Sequence, residues 1–266
     1  MAIVVMVYIH NLDPVLFHLG PLEIRYYGLA YVLGFIIGYV VARYLIKHKH
    51  INLTKEELEE YVLYLAVGLL VGARFFYFVF YNTAIIVQDP FQLIKIWQGG
   101  MSFHGGLIGM LIAGYFFCHK YKKSYYELAD MTVIAAVPAL FLVRVTNFIN
   151  GELYGRITTM PWAVDFGDGL ARHPSQLYEA AKNIVIGSVL WTLKDKNLTK
   201  GTIFWMFILL YGVLRFFIEF VRQPDEQLGF VLFNALTMGQ VLTAIMAIIA
   251  IYMLVKWKKE GTLILQ

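Results

Sequence analysis

Five ionisable side chains stand inside otherwise apolar stretches: Arg74, His104, Arg144, Arg215 and Glu219. Such groups are costly in hydrocarbon and usually line a site or a cavity. Their types suggest a chemistry. A guanidinium matches a phosphate through paired hydrogen bonds, and an imidazole exchanges a proton near neutral pH. Tyr211, Arg215 and Glu219 are spaced i, i+4, i+8, so a helix presents all three on one face. Arg144 opens RVTNFINGELYGR, where Asn147, Asn150, Glu152 and Gly155 follow closely. That many amides and acids at a membrane edge need partners, which a polar headgroup could supply. His104 sits in GGMSFHGGLIG, where glycines allow a close approach by backbone or substrate. Together these residues suit an enzyme that binds an anionic lipid headgroup and moves a proton beside it. Plainer roles compete: an Arg–Glu pair sealing a bundle, a snorkelling Arg144, and a Gly105/Gly109 packing seam with His104 as an interfacial donor. Arg74 has no accompanying motif, so a site role and a structural role stay open.

The elements that must position these residues are membrane helices. The chain has 266 residues, 59% hydrophobic and only 15% charged. A soluble domain averages about 25% charged residues, and a globule of this size could not keep a charged skin. A single cysteine, Cys118, excludes an internal disulfide and a multi-cysteine zinc site. A net charge of +4, scattered along the chain, does not suggest nucleic-acid binding. The start, MAIVVMVYIH, lacks a basic leader and a clear cleavage site, and reads as a segment lying against the membrane or the core.

The fold class is all-α: a polytopic protein with about seven transmembrane helices and one integral membrane domain over residues 1–266. Runs of roughly 20 apolar residues fall near Tyr27–Ile46, Tyr61–Tyr81, Phe103–Cys118, Leu128–Phe148, Leu177–Leu193, Thr202–Val221 and Leu236–Lys256. The third and fifth are short. No internal repeat is seen. Gly34/Gly38 and Gly68/Gly72 read as packing seams, and the acidic cluster at Glu56, Glu57, Glu59 and Glu60 suits a helix start.

Lys and Arg in the connections place 13 charges on one side (43–55, 120–123, 194–200 and 256–259) and 5 on the other (Arg25, Lys95, Arg156, Arg172, Arg222), with Lys182 inside the fifth span. The positive side is cytoplasmic, so the N-terminus lies outside and the C-terminus inside. Arg74, His104, Arg144, Arg215 and Glu219 then share the level of the outer leaflet. The external connection of about 149–176 is rich in Gly and Pro and reads as a structured turn-rich loop. Trp162, Phe166 and Trp97 fit an interfacial aromatic belt. An ion path would scatter its charges through the full depth, so a lipid-modifying transferase or hydrolase leads, with a transporter or channel carrying an outer-leaflet charged gate as the alternative.

The segments GPLEIRYYGL, GGMSFHGGLIG, RVTNFINGELYGR, RHPSQLYE, YGVLRFFIEFVRQPD and TMGQ resemble, in the same order, those of the bacterial prolipoprotein diacylglyceryl transferase family. The resemblance covers residues from about 12 to 250. Thr146 stands where the family usually has glycine, with Phe141 and Val143 in a region commonly rich in glycine, and the external loop is short. The resemblance implies transfer of a diacylglyceryl group from phosphatidylglycerol to the lipobox cysteine thiol of a prolipoprotein signal peptide, in a bacterial cell membrane and among membrane lipids, without a cofactor. It implies Arg144 and Arg215 on the phosphate, with Asn147 and Glu152 orienting Arg144 and the headgroup. Asn150 and Gly155 would contact substrate. His104 would be the general base, and Tyr27, Tyr211 and Glu219 would position lipid or the basic groups.

Overall fold

The computed structural model describes residues 7–20, 22–83, 89–95, 99–224, 230–232 and 236–259. All of MAIVVM, and Trp97, lie outside the described residues. Among the described residues the chain forms seven α-helices: α1 Tyr26–His48, α2 Lys55–Tyr81, α3 Phe103–Tyr121, α4 Tyr125–Ile149, α5 Ser175–Leu193, α6 Thr202–Ile218 and α7 Met238–Lys259. They match the seven expected apolar runs, and the short third and fifth each extend to 19 residues. Four of them, α1, α2, α4 and α7, are long and apolar enough to cross a bilayer, and α6 is a shorter apolar helix. The polar distribution inverts that of a globule. Phe35, Phe75, Phe80 and Ile248 are exposed, whereas Gln176, Glu179, Lys182, Asn183, Arg215, Glu219 and Gln240 are buried. Hydrocarbon solvates the first set, and the second must find partners within the protein.

The helices cluster into two compact units, residues 45–129 and residues 1–44 with 130–266. The smaller unit is built on α2 and α3. Thr54 caps α2 in a reciprocal box: its hydroxyl accepts from Glu57 N–H at 3.2 Å, and Glu57 accepts from Thr54 N–H at 2.8 Å. Glu57 and Glu60 from the acidic cluster also pair with Lys123 and Lys120 at 2.7 and 2.8 Å. The two helices touch along a glycine seam. A Cβ on Gly72 would come within 2.8 Å of Gly109 Cα, and one on Gly68 would strike Ala113 and the Gly109 carbonyl. Only hydrogen at these positions lets the backbones meet.

The larger unit contains most of α1 and α4, with α5, α6 and α7. Gly34 and Gly38 of α1 meet Ala139 and Ala135 of α4, Gly187 of α5 meets Val137, and Gly212 of α6 meets Thr243 and Ala247 of α7. The first N–H groups of α6 are satisfied from a distance: the Asp130 carboxylate, on α4, accepts from Gly201 and Phe204 N–H at 2.6 Å each. Those donors have no acceptor within their own helix.

Small sheets decorate the helices. β1 (Tyr8–Ile9) pairs in parallel with β4 (Val164–Asp165), which pairs antiparallel with β5 (Ala171–Arg172). β2 (Val15–Leu19) and β3 (Leu22–Arg25) form an antiparallel pair, as do β6 (Phe230–Leu232) and β7 (Leu236–Thr237). The turn-rich loop therefore also contributes two short strands. The N-terminal segment lies against it, with the His10 ring bonded to the Phe148 carbonyl at 2.8 Å.

Candidate functional site

In the larger unit, α4, α5 and α6 bring three cations around one carboxylate. Glu179 of α5 takes Arg215 NH1 of α6 on Oε1 at 2.8 Å and Lys182 Nζ on Oε2 at 2.7 Å. Arg144 Nε of α4 stands 3.6 Å from the same Oε2. Arg215 extends its other arm, NH2, to Glu219 Oε2 at 2.5 Å. Its spacing of four residues to Glu219 delivers this contact, as the helical face requires. The sequence pointed to Arg144, Arg215 and Glu219. It did not single out Glu179, and it treated Lys182 only as a charge within a span.

Glu219 is held from its far side as well. Its Oε1 accepts from the Thr237 hydroxyl at 3.0 Å, and a Cβ on Gly239 would come within 2.8 Å of that oxygen. Gln240 accepts from Thr237 N–H at 3.0 Å, so TMGQ both starts α7 and seats the acid of α6.

Arg144 is the most open member. Its side chain is 26% exposed, against 4% for Glu179 and 11% for Arg215. Its contacts to Glu179 and Asn147 are long, with Nη1 reaching Asn147 Oδ1 at 3.5 Å. Asn147 donates to Glu152 Oε1 at 2.7 Å, and Asn150 donates to the same oxygen at 3.2 Å. The run Arg144–Asn147–Glu152 is thus one relay from the cluster to the loop. Thr146, at the usual glycine position, is buried and turns its hydroxyl back on the Val143 carbonyl at 2.9 Å, so its own helix satisfies it.

RHPSQLYE clamps that loop. Gln176 donates to the Glu152 carbonyl at 2.6 Å, and Ser175 to the Leu153 carbonyl at 2.8 Å. Gly155 marks a crossing of three segments. Its N–H donates to the His173 carbonyl at 2.8 Å, and a Cβ there would lie 2.5 Å from the Val221 carbonyl and 2.6 Å from His173 Cβ. Trp162 donates to the Tyr178 hydroxyl at 2.6 Å, and that hydroxyl meets His173 Nδ1 at 3.0 Å. Burial holds the His173 imidazole below its ordinary value. Although desolvation opposes it, the Arg172 guanidinium at 2.6 Å keeps the Asp168 carboxyl below the usual range.

Tyr27 is half-buried, shares a 3.2 Å hydrogen bond with Tyr31, and lies within electrostatic reach of Glu152 and Arg144. Tyr211 lies under Lys182, whose Nζ is 3.7 Å from the ring centroid.

The remaining two candidates belong to the smaller unit. His104 is an exposed residue in the first turn of α3, which Ser102 caps by accepting from Gly105 N–H at 3.3 Å. Arg74 resolves differently. Its guanidinium donates to the carbonyls of Gln92 (2.7 Å), Lys95 (2.8 Å), Gly100 (3.1 Å), Leu93 (3.3 Å) and Gly99. It is a backbone organiser for the segment after α2.

Apolar helices that enclose charged side chains define a polytopic membrane protein. The prolipoprotein diacylglyceryl transferase family pattern matches residues 14–256, and the chain belongs to that family. A Geobacter sulfurreducens protein is 43% identical over 256 residues, covering 94% of this chain and 98% of its own. One from Legionella pneumophila (strain Lens) is 41% identical over 246 residues, with 91% and 96% covered. One from Oleidesulfovibrio alaskensis is 45% identical over 233 residues, with 86% and 87% covered. All three are named phosphatidylglycerol–prolipoprotein diacylglyceryl transferase. The chain is a bacterial membrane protein, and the transporter or channel alternative finds no support among these relatives.

Proposed function

We propose that this chain transfers the diacylglyceryl group of phosphatidylglycerol to the lipobox cysteine thiol of a prolipoprotein signal peptide. The thiol sulfur attacks the glycerol carbon that carries the phosphate. The carbon–oxygen bond breaks, a thioether forms and glycerol phosphate leaves with the bonding electron pair. The thiol proton passes to a base and ends on the product phosphate or in water.

The observation that carries this reading is the buried cluster of Arg144, Arg215 and Lys182 around Glu179, with Arg144 its most open cation. Charge grows on the leaving phosphate as the bond breaks, and preoriented guanidinium groups stabilise it in a site poor in water. Arg144 makes the first contact with the phosphate, because its present contacts are the loosest. Asn147, Asn150 and Glu152 orient it and the headgroup, and Gly155 keeps their loop in place. Arg215 joins by exchanging a carboxylate for the phosphate, while Glu219 and Tyr211 fix its helix face and Tyr27 borders the lipid. His104 is the candidate base, since thiolate and not thiol is the competent nucleophile. The site belongs to the outer leaflet, by the distribution of positive charge in the loops.

The test is direct. Purified protein in mixed micelles with phosphatidylglycerol should add one diacylglyceryl group to a lipobox peptide, and a peptide with serine for cysteine should stay unmodified. Arg144→Ala should abolish transfer. Arg144→Lys should lose about 10²-fold or more, because an ammonium cannot reproduce a two-pronged fork. A lysine variant of near-parent rate would remove Arg144 from the reaction.

A further inference from the structure

Lys182 is the most deeply enclosed cation of the cluster. Its side chain is 1% exposed, its Nζ sits 2.7 Å from Glu179 Oε2, and the same nitrogen lies 3.7 Å above the Tyr211 ring. An ammonium so enclosed cannot reach a lipid headgroup directly. Arg215, in contrast, has both terminal nitrogens committed, one to Glu179 and one to Glu219. It can turn to a phosphate only by letting a carboxylate go. A buried carboxylate released by one cation needs another, or it draws the first one back.

We infer that Lys182 is a positioning residue for the arginine pair: it holds Glu179, so that Arg215 and Arg144 are free to transfer their charge to the phosphate of the incoming lipid. Without Lys182, Glu179 has, among the described residues, only the two arginines as partners and competes with phosphate for them. The Lys182–Glu179 pair therefore sets how tightly phosphatidylglycerol is bound. Tyr211 belongs to the same device, since its ring face also meets the ammonium, 3.7 Å from the ring centroid. This rests on the reading that the two arginines meet phosphate.

The experiment compares Lys182→Met, Glu179→Gln, the double variant and Arg144→Lys with the parent, measuring KM for phosphatidylglycerol and kcat in mixed micelles on one lipobox peptide. Methionine keeps the unbranched stem and loses the charge. Lys182→Met is expected to raise KM by about tenfold or more. In the double variant, neutralising Glu179 removes the competitor and should bring KM back to that of Glu179→Gln alone. Damage to packing predicts the opposite, a double variant at least as impaired as Lys182→Met. Lys182→Arg supplies the same test if the methionine variant does not fold, because it keeps the charge and should retain a KM within about threefold of the parent. Parent-like KM in Lys182→Met, or no recovery in the double variant, overturns the role of Lys182. So does a large rise in KM for Lys182→Arg. A near-parent Arg144→Lys overturns the arginine reading itself, and this inference with it; an impaired Arg144→Lys beside a parent-like Lys182→Met removes Lys182 alone.

Discussion

Single residues act through what holds them. His104 stands in the first turn of α3 on a serine-capped end, and its proposed task is to take the thiol proton. His104→Gln keeps a hydrogen-bonding amide and loses the base, so turnover should fall by roughly 10² to 10⁴-fold while lipid binding persists. Raising the pH should rescue the variant in part, because bulk hydroxide then supplies thiolate. A rate ratio to the parent that stays flat from about pH 6 to 9 would assign thiol activation to the arginines alone. His173 gives a second pH dependence, of stability. Its folded-state value is lowered by burial, so the unfolded chain takes up the proton first as pH falls. The stability it contributes is complete above about pH 6.5 and declines below it. Thermal melting between about pH 8 and 5.5 should show that decline, and His173→Gln should flatten it. An unchanged slope in the variant would mean that other groups govern acid sensitivity.

Elements were legible where the physics is averaged over many residues. Among the described residues all seven helices follow from apolar runs, and the runs of α3 and α5 are short only because polar ends break them. The strands were not legible, since β1, β4 and β5 are two residues each and two residues carry no alternation. Within the candidate site, Arg144, Arg215 and Glu219 were legible by their cost in an apolar stretch. Glu179 escaped because it lies in SQLYEAAKN, where polar neighbours hide the anomaly, and Lys182 because its partner had gone unremarked. Gly155 was placed among substrate contacts by resemblance, whereas its close contacts in the structure are with the Val221 carbonyl and His173. The α2–α3 seam yields a prediction at this scale. Gly109→Leu places a branched side chain where Gly68 and Gly72 backbone already stands. It should destabilise by about 1–3 kcal/mol or more, read as a lower melting temperature in detergent. A leucine variant of parent stability would show that the two helices do not need this approach.

At the scale of the whole molecule, the unequal loop charges yield a prediction of direction. After Cys118→Ser, a thiol probe that does not cross membranes should label a cysteine at Gly167 in intact cells and miss one at Lys196. The reverse pattern would move the candidate site to the cytoplasmic leaflet and remove the lipid-access argument. The inverted distribution of polarity matters here too. Phe80 and Ile248 face outward while Gln240 and Lys182 are enclosed, so bilayer thickness bears on the apolar surface rather than on the polar cluster.

Asp130 carries a consequence of a different kind. It caps α6 from a position 71 residues earlier than Gly201. A ribosome releases α4 well before α6, so the acceptor for the later helix is already in the membrane when that helix arrives. The N–H groups of Gly201 and Phe204 can then leave water for a waiting carboxylate instead of an empty apolar slot. Order of synthesis and order of need coincide at this one contact. In a circular permutant that starts between α4 and α6, the helix would arrive first and its amides would wait for the acid.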